Sequence, residues 1–154
     1  MELILWRHAQ AAPGDPDAAR PLTGRGRAQA DVVARWLAPR LPLELRVLVS
    51  PARRTQETAS ALGRPFETVE RLAPGNDSGA LLAIAGWPGA EQPVLIVGHQ
   101  PTLGDLASRL LEGRRATSAM GTGAVWWLRG KARAGRGEAE LLLALEPEIL
   151  ERGS

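Results

Sequence analysis

The apolar residues of this chain fall into two alternating patterns. Glu2–Trp6, Val47–Val49 and Val94–Val97 are short aliphatic runs with little polar interruption, the pattern of strands covered on both faces. The segment from Thr23 to about Ala38 instead places Val32, Val33, Trp36 and Leu37 on one face at helical spacing, with Thr23 suited to cap its start and Pro39 to stop it. Ser50-Pro51 reads as an N-cap followed by proline at the first helical position, opening a helix to about Leu62 that Gly63 closes. Phe66–Val69 suggests a third strand, Gly79–Ala85 a short helix, and Pro101 the start of a helix to about Glu112. Ala124–Leu128 and Glu138–Leu145 suggest two late strands. Ala9–Pro21, with three prolines, one glycine and two aspartates, is a loop, as is Ala73–Ser78. The tail after Pro147 is expected to be weakly ordered. Strands alternating with helices imply an α/β domain with a largely parallel sheet.

The length of 154 residues suits one domain, spanning 1–154. Apolar residues at 44% and charged residues at 23% argue against disorder. No apolar run approaches the ~18 residues of a membrane span. Met1–His8 has neither a basic start nor a long apolar stretch, so no secretory leader is expected. With no cysteine, disulfides, thiol nucleophiles and cysteine-ligated metals are removed together. These features lead us to expect a cytoplasmic protein with no membrane partner. The pI near 10.3 suggests a nucleic-acid binder, but the net charge is only +2, and all but one of the 19 basic residues are arginine. The basic residues are spread along the chain. Their densest group, Arg129, Lys131, Arg133 and Arg136, lies in a Gly/Ala-rich turn. A solvated loop is the better reading there, and no nucleic-acid partner is expected.

The chain has two histidines, His8 and His99. Each stands just past a strand of the expected parallel sheet, where ligand sites of open α/β sheets form. Arg7 precedes His8 and would be partly buried at the end of an apolar strand, a position that calls for an anionic partner. Arginine holds phosphate with a planar fork of donors. Arginines near His8 would lower its pKa and keep it neutral, and a neutral imidazole is a nucleophile. The segment Ser50-Pro-Ala-Arg-Arg-Thr-Gln-Glu-Thr-Ala59 runs from a strand end into a helix start, which suits an anion. Arg53 and Arg54 are unfavourable in that first turn, so an anion should compensate at least one of them. Spacing alone does not decide which of the two faces the pocket.

Arg7-His8 after an N-terminal strand, the Ser50–Ala59 segment, Gly98-His99 and the helix entry Arg20-Pro-Leu-Thr-Gly-Arg-Gly-Arg-Ala-Gln-Ala30 together resemble the histidine phosphatase superfamily. The order, spacing and chain length are most similar to its SixA-type phosphohistidine phosphatases, and the resemblance runs from about Glu2 to Leu145. It implies the phosphoglycerate mutase-like fold: a three-layer α/β sandwich with a mostly parallel central sheet and helices on both faces. It implies that His8 is the nucleophile that becomes phosphorylated. Arg7 and Arg54 would grip the phosphoryl oxygens, and His99 would donate to one of them. Arg53 would face solvent. Catalysis would then need no metal and no cofactor, because two arginines, a second imidazole and a helix N-terminus supply the charge stabilisation. One departure stands out: the family usually has glycine after the Arg-His pair, and this chain has Ala9. A positive φ there would cost alanine about 1 kcal/mol or more.

Larger members of the family carry a lid and an acid that protonates an alkoxide leaving group. The short stretch between Arg54 and His99 leaves little room for a lid. Its acidic residues are Glu57, Glu67, Glu70, Asp77 and Glu91. Asp77 is the most plausible acid, yet a helix N-cap is its better reading. An imidazole leaving group makes a weaker demand for an acid, and an open pocket admits a side chain carried on another protein. The expected substrate is therefore a protein bearing phosphohistidine. The alternatives are a small phosphate ester or, for a non-catalytic module, phosphate binding without turnover.

Overall fold

The computed structural model describes residues 1–112, 120–130 and 139–152. Its strands are β1 (Glu2–Arg7), β2 (Arg46–Val49), β3 (Glu67–Thr68), β4 (Val94–Gly98), β5 (Val125–Gly130) and β6 (Ala139–Leu145). The helices are α1 (Gly24–Leu37), α2 (Arg53–Ser60), α3 (Ser78–Ala85), α4 (Thr102–Glu112) and α5 (Pro147–Arg152). One six-stranded sheet runs in the order β3-β2-β4-β1-β5-β6. Strands β3, β2, β4 and β1 are parallel, while β5 and β6 add as an antiparallel pair beside β1. The sheet is thus mixed, with a parallel centre. The turn carrying Lys131, Arg133 and Arg136 lies outside the described residues.

Alternation along the central strands sorts their side chains into two cores. Leu3, Leu5, Leu48, Val94 and Ile96 pack on one face with Leu81 and Ala85 of α3 and with Leu103, Leu106 and Leu110 of α4. Ile4, Trp6, Val47, Val49, Leu95 and Val97 pack on the other with Val33 and Leu37 of α1, Ala59 of α2 and Leu150 of α5. Because both faces are covered, these strands read as continuous apolar runs. Trp126 and Trp127 divide between the two cores, as adjacent strand residues must. The Nε1–H of Trp127 reaches Glu2 Oε1 at 3.2 Å. No described helix is long and apolar enough to cross a membrane.

Two elements differ from the sequence reading. Helix α2 begins at Arg53, with Ala52 as an N-cap lacking a side-chain cap bond. Ser50 does not cap it: its hydroxyl is engaged with His99 and the Ala52 N–H. The tail expected to be weakly ordered forms helix α5 through Arg152. Pro147 is buried, and Leu150 packs partly buried on the α1 side of the sheet. The other caps follow local chemistry: Thr23 Oγ1 accepts from the Gly26 N–H at 2.9 Å, and Asp77 Oδ1 from the Ala80 N–H at 2.9 Å.

The first turn of α1 lies directly against the loop that follows His8. The Thr23 N–H donates to the Gln10 carbonyl at 3.0 Å, and Thr23 Oγ1 donates to Gln10 Oε1 at 2.8 Å. A β-carbon on Gly26 would overlap the Gln10 carbonyl oxygen, whereas one on Gly24 would meet open space. Gly26→Ala is therefore expected to cost about 2 kcal/mol despite alanine's better helix propensity. Gly24→Ala should leave stability unchanged or slightly raised. Urea denaturation of the two variants checks the contrast; equal midpoints would show that the close approach at Gly26 carries no energy.

Candidate active site

Three neighbouring parallel strands end nearly flush and deliver the site. Arg7 of β1 pairs in register with Gly98 of β4, and Val49 of β2 with Val97 of β4. The ladder continues one step further, with the His8 N–H donating to the Gly98 carbonyl at 3.1 Å and the Ser50 N–H to the Val97 carbonyl at 3.2 Å. His8, His99 and Ser50 thus emerge side by side at the carboxyl edge of the sheet, and all three are buried. The His8 and His99 ring centroids are 5.4 Å apart.

His8 Nδ1 lies 2.8 Å from the Ala9 carbonyl. A carbonyl only accepts, so Nδ1 carries the proton and Nε2 holds the lone pair. Burial, reinforced by the charges of Arg54, Arg7 and Arg20, lowers the His8 pKa to about 4 against the pull of the Ala9 hydrogen bond. Burial also dominates at His99, lowering it to about 3, with Arg54, His8 and Arg7 acting in the same direction and Asp17 opposing them. Both imidazoles are neutral at pH 7.

The guanidiniums are held from behind. Arg7 Nη1 donates to the Met120 carbonyl at 2.7 Å. Arg54, only 4% exposed, donates from Nη1 to the Asp17 carbonyl at 3.0 Å and from Nη2 to Asp17 Oδ2 at 3.1 Å. Arg53 points away and pairs with Glu57 at 3.4 Å. Asp17 also takes Arg20 on its other oxygen at 3.1 Å, and these arginines, the Arg20 hydrogen bond foremost, hold its carboxyl below the usual range. The described residues leave three buried side-chain atoms without a partner: Arg7 Nε, Arg54 Nε and His99 Nδ1. All three belong to residues whose charges act on one another in this one pocket. Unsatisfied buried polar atoms are costly.

Ala9 has no positive φ. Its methyl packs with Leu22 and Ala30 in a small cluster of its own, and its N–H donates to Thr58 Oγ1 at 3.0 Å. The departure from glycine therefore strains no backbone. Among the acidic residues, Glu57 accepts from the Leu22 N–H at 2.8 Å, Asp77 caps α3, and Glu67 pairs with Arg46 at 3.2 Å. Glu91 lines a surface cleft with Arg46, at the opposite end of β2, and Glu70 lies in a short turn at Glu70–Leu72. The charges that most affect His8 are all positive. Sequence reasoning missed Asp17 and the Met120 carbonyl as neighbours of the site, and it read Ser50 as a helix cap where the structure shows a partner of His99. Only Ser50 carried a signal, its place immediately after a strand.

Residues 3–74 match the model of the histidine phosphatase superfamily, branch 1. A protein of Picosynechococcus is 35% identical over 125 residues, covering 74% of this chain and 75% of that protein. The phosphohistidine phosphatase SixA of Escherichia coli is 31% identical over 122 residues, covering 73% of this chain and 76% of its own. Among solved structures, the protein histidine phosphatase SixA complexed with tungstate superposes with a TM-score of 0.80 at 28% identity, over 97% of this chain and 99% of that one. Parallel strands that end flush at two neutral histidines, the matched N-terminal half and these relatives agree: the chain belongs to the histidine phosphatase superfamily.

Proposed function

We propose that this protein is a metal-independent phosphatase that works through a phosphohistidine intermediate on His8 and removes phosphate from phosphohistidine carried on another protein. The observation that carries the reading is the convergence of two neutral histidines 5.4 Å apart with the charges of Arg7 and Arg54, the lone pair of His8 lying on Nε2. A tetrahedral dianion suits this pocket: a phosphorus in line with Nε2 and equatorial oxygens held by the guanidiniums of Arg7 and Arg54 and by His99. The relative whose structure holds tungstate, an oxyanion of similar shape, supports the same ligand chemistry here.

In the first step Nε2 attacks phosphorus, the N–P bond to His8 forms, and the bond to the leaving group breaks with its electron pair on the leaving atom. The guanidiniums carry the charge on the equatorial oxygens. An imidazole leaving group takes its proton from solvent. In the second step water attacks phosphorus, its proton passes to bulk, and the electron pair returns to Nε2, releasing phosphate. Nδ1 keeps its proton, hydrogen-bonded to the Ala9 carbonyl, throughout, which keeps Nε2 the reacting nitrogen. Of the acids considered for an alkoxide leaving group, Glu57, Asp77 and Glu67 are engaged elsewhere and Glu91 lies at the opposite end of β2, and this favours the P–N bond over a phosphate ester.

Reaction with a phosphohistidine protein in EDTA, quenched rapidly into alkali, is expected to leave phosphate on His8 by mass spectrometry. Turnover should be faster than on sugar phosphates. His8→Ala is expected to abolish turnover with the fold intact. Phosphate on His99, loss of activity in EDTA, or faster turnover of the esters would each overturn part of the reading.

Removing a preorganised cationic donor costs ~10²–10³ in kcat, so Arg7→Ala and Arg54→Ala should each lose at least a hundredfold. Arg53→Ala, which removes an exposed pair with Glu57, should cost little. Equal losses at Arg53 and Arg54 would reject the assignment.

NMR titration should show His8 gaining its proton near pH 4, well below the unfolded value of about 6.5. The unfolded chain then binds more protons below that value. The contribution to stability is full above pH ~6.5 and is lost as pH falls toward 4. A His8 midpoint at or above 6.5 would mean that a carboxylate outweighs the arginines.

A further inference from the structure

Ser50 is fully buried, and each of its polar groups has a defined partner. Its N–H donates to the Val97 carbonyl. Its carbonyl accepts from Thr55 Oγ1 at 2.9 Å and Gln56 Nε2 at 2.8 Å. Its Oγ accepts from the Ala52 N–H at 3.3 Å and lies 2.7 Å from His99 Nε2. We propose that Ser50 is a positioning residue whose hydroxyl donates to His99 Nε2 and so holds His99 in the tautomer that presents Nδ1–H to the phosphoryl group.

The direction follows from counting donors. A hydroxyl has one proton and two lone pairs. Ser50 Oγ already accepts from Ala52, and among the described residues no acceptor other than His99 Nε2 is bonded to it. If His99 donated instead, the proton of the fully buried Ser50 would be stranded, which costs as much as a lost hydrogen bond. The same reversal would turn the His99 Nδ1 lone pair toward the phosphoryl oxygens, replacing a hydrogen bond with repulsion between lone pairs. A neutral imidazole shows one donor and one acceptor, and the bond at one nitrogen decides what the other presents. The partnerless Nδ1 of His99 is then a donor by virtue of a serine that follows a different strand. This assignment rests on the phosphatase reading for its use but not for its geometry.

The test has two arms that do not depend on turnover. In the wild-type protein, ¹⁵N NMR of the His99 ring is expected to show the proton on Nδ1. In Ser50→Ala, a substitution that only removes an atom, it should move to Nε2, and affinity for orthovanadate should fall about tenfold, the scale of a hydrogen bond to a charged group. A wild-type proton on Nε2, a Ser50→Ala tautomer that stays on Nδ1, or an unchanged vanadate affinity would each overturn the proposal. Failure of the phosphatase reading appears separately, as a protein that shows the Nδ1 tautomer and binds vanadate yet forms no phosphate on His8.

Discussion

Mutual repulsion among basic groups in one desolvated place is the constraint on which this structure depends. Two imidazoles 5.4 Å apart lie beside two guanidiniums. Four charges at such spacing would repel strongly at the low effective dielectric of a buried site. Burial settles the conflict by holding both imidazoles neutral, so that charge resides on the arginines alone. This division of labour follows from desolvation rather than from any special residue. The rings are free to act as nucleophile and as donor, and the guanidiniums supply the field.

Positions at such a site have to be held without adding charge, and neutral polar groups do most of it. The Met120 carbonyl holds Arg7, the Ala9 carbonyl holds His8, and Ser50 holds His99. Thr58 joins two parts of the site: its Oγ1 accepts from the Ala9 N–H and donates to the Arg54 carbonyl at 2.7 Å. The loop after His8 and the helix bearing Arg54 are thereby bonded to one hydroxyl. Groups fixed before the substrate arrives need no reorganisation during transfer.

The central strands were legible because burial on both faces leaves an unmistakable apolar run, as in Val94–Val97. The histidines were legible because they follow such runs directly. Local signals failed where a side chain answered to a distant partner. Ser50-Pro51 has the form of a helix start, yet a buried histidine from another strand claims the hydroxyl, and the helix opens at Arg53. Helix α5 was invisible because its anchors, the buried Pro147 and the partly buried Leu150, gain their value only from the core that α1 and the sheet assemble. Asp17 was equally hidden, since nothing in a proline-rich loop announces that it folds back onto an arginine of α2. The consequence of alanine after His8 turned on a dihedral angle that only the folded chain defines.

Asp17 is also unusual in where it stands. Its side chain is 58% exposed, yet it bonds an arginine that is almost wholly buried. Most of the pocket can be altered only by disturbing the core. This carboxylate reaches solvent, so its charge can be changed by substitution with no repacking. The polarity of the buried site is therefore adjustable from the protein surface, and related chains could drift in anion preference while their interiors stay the same.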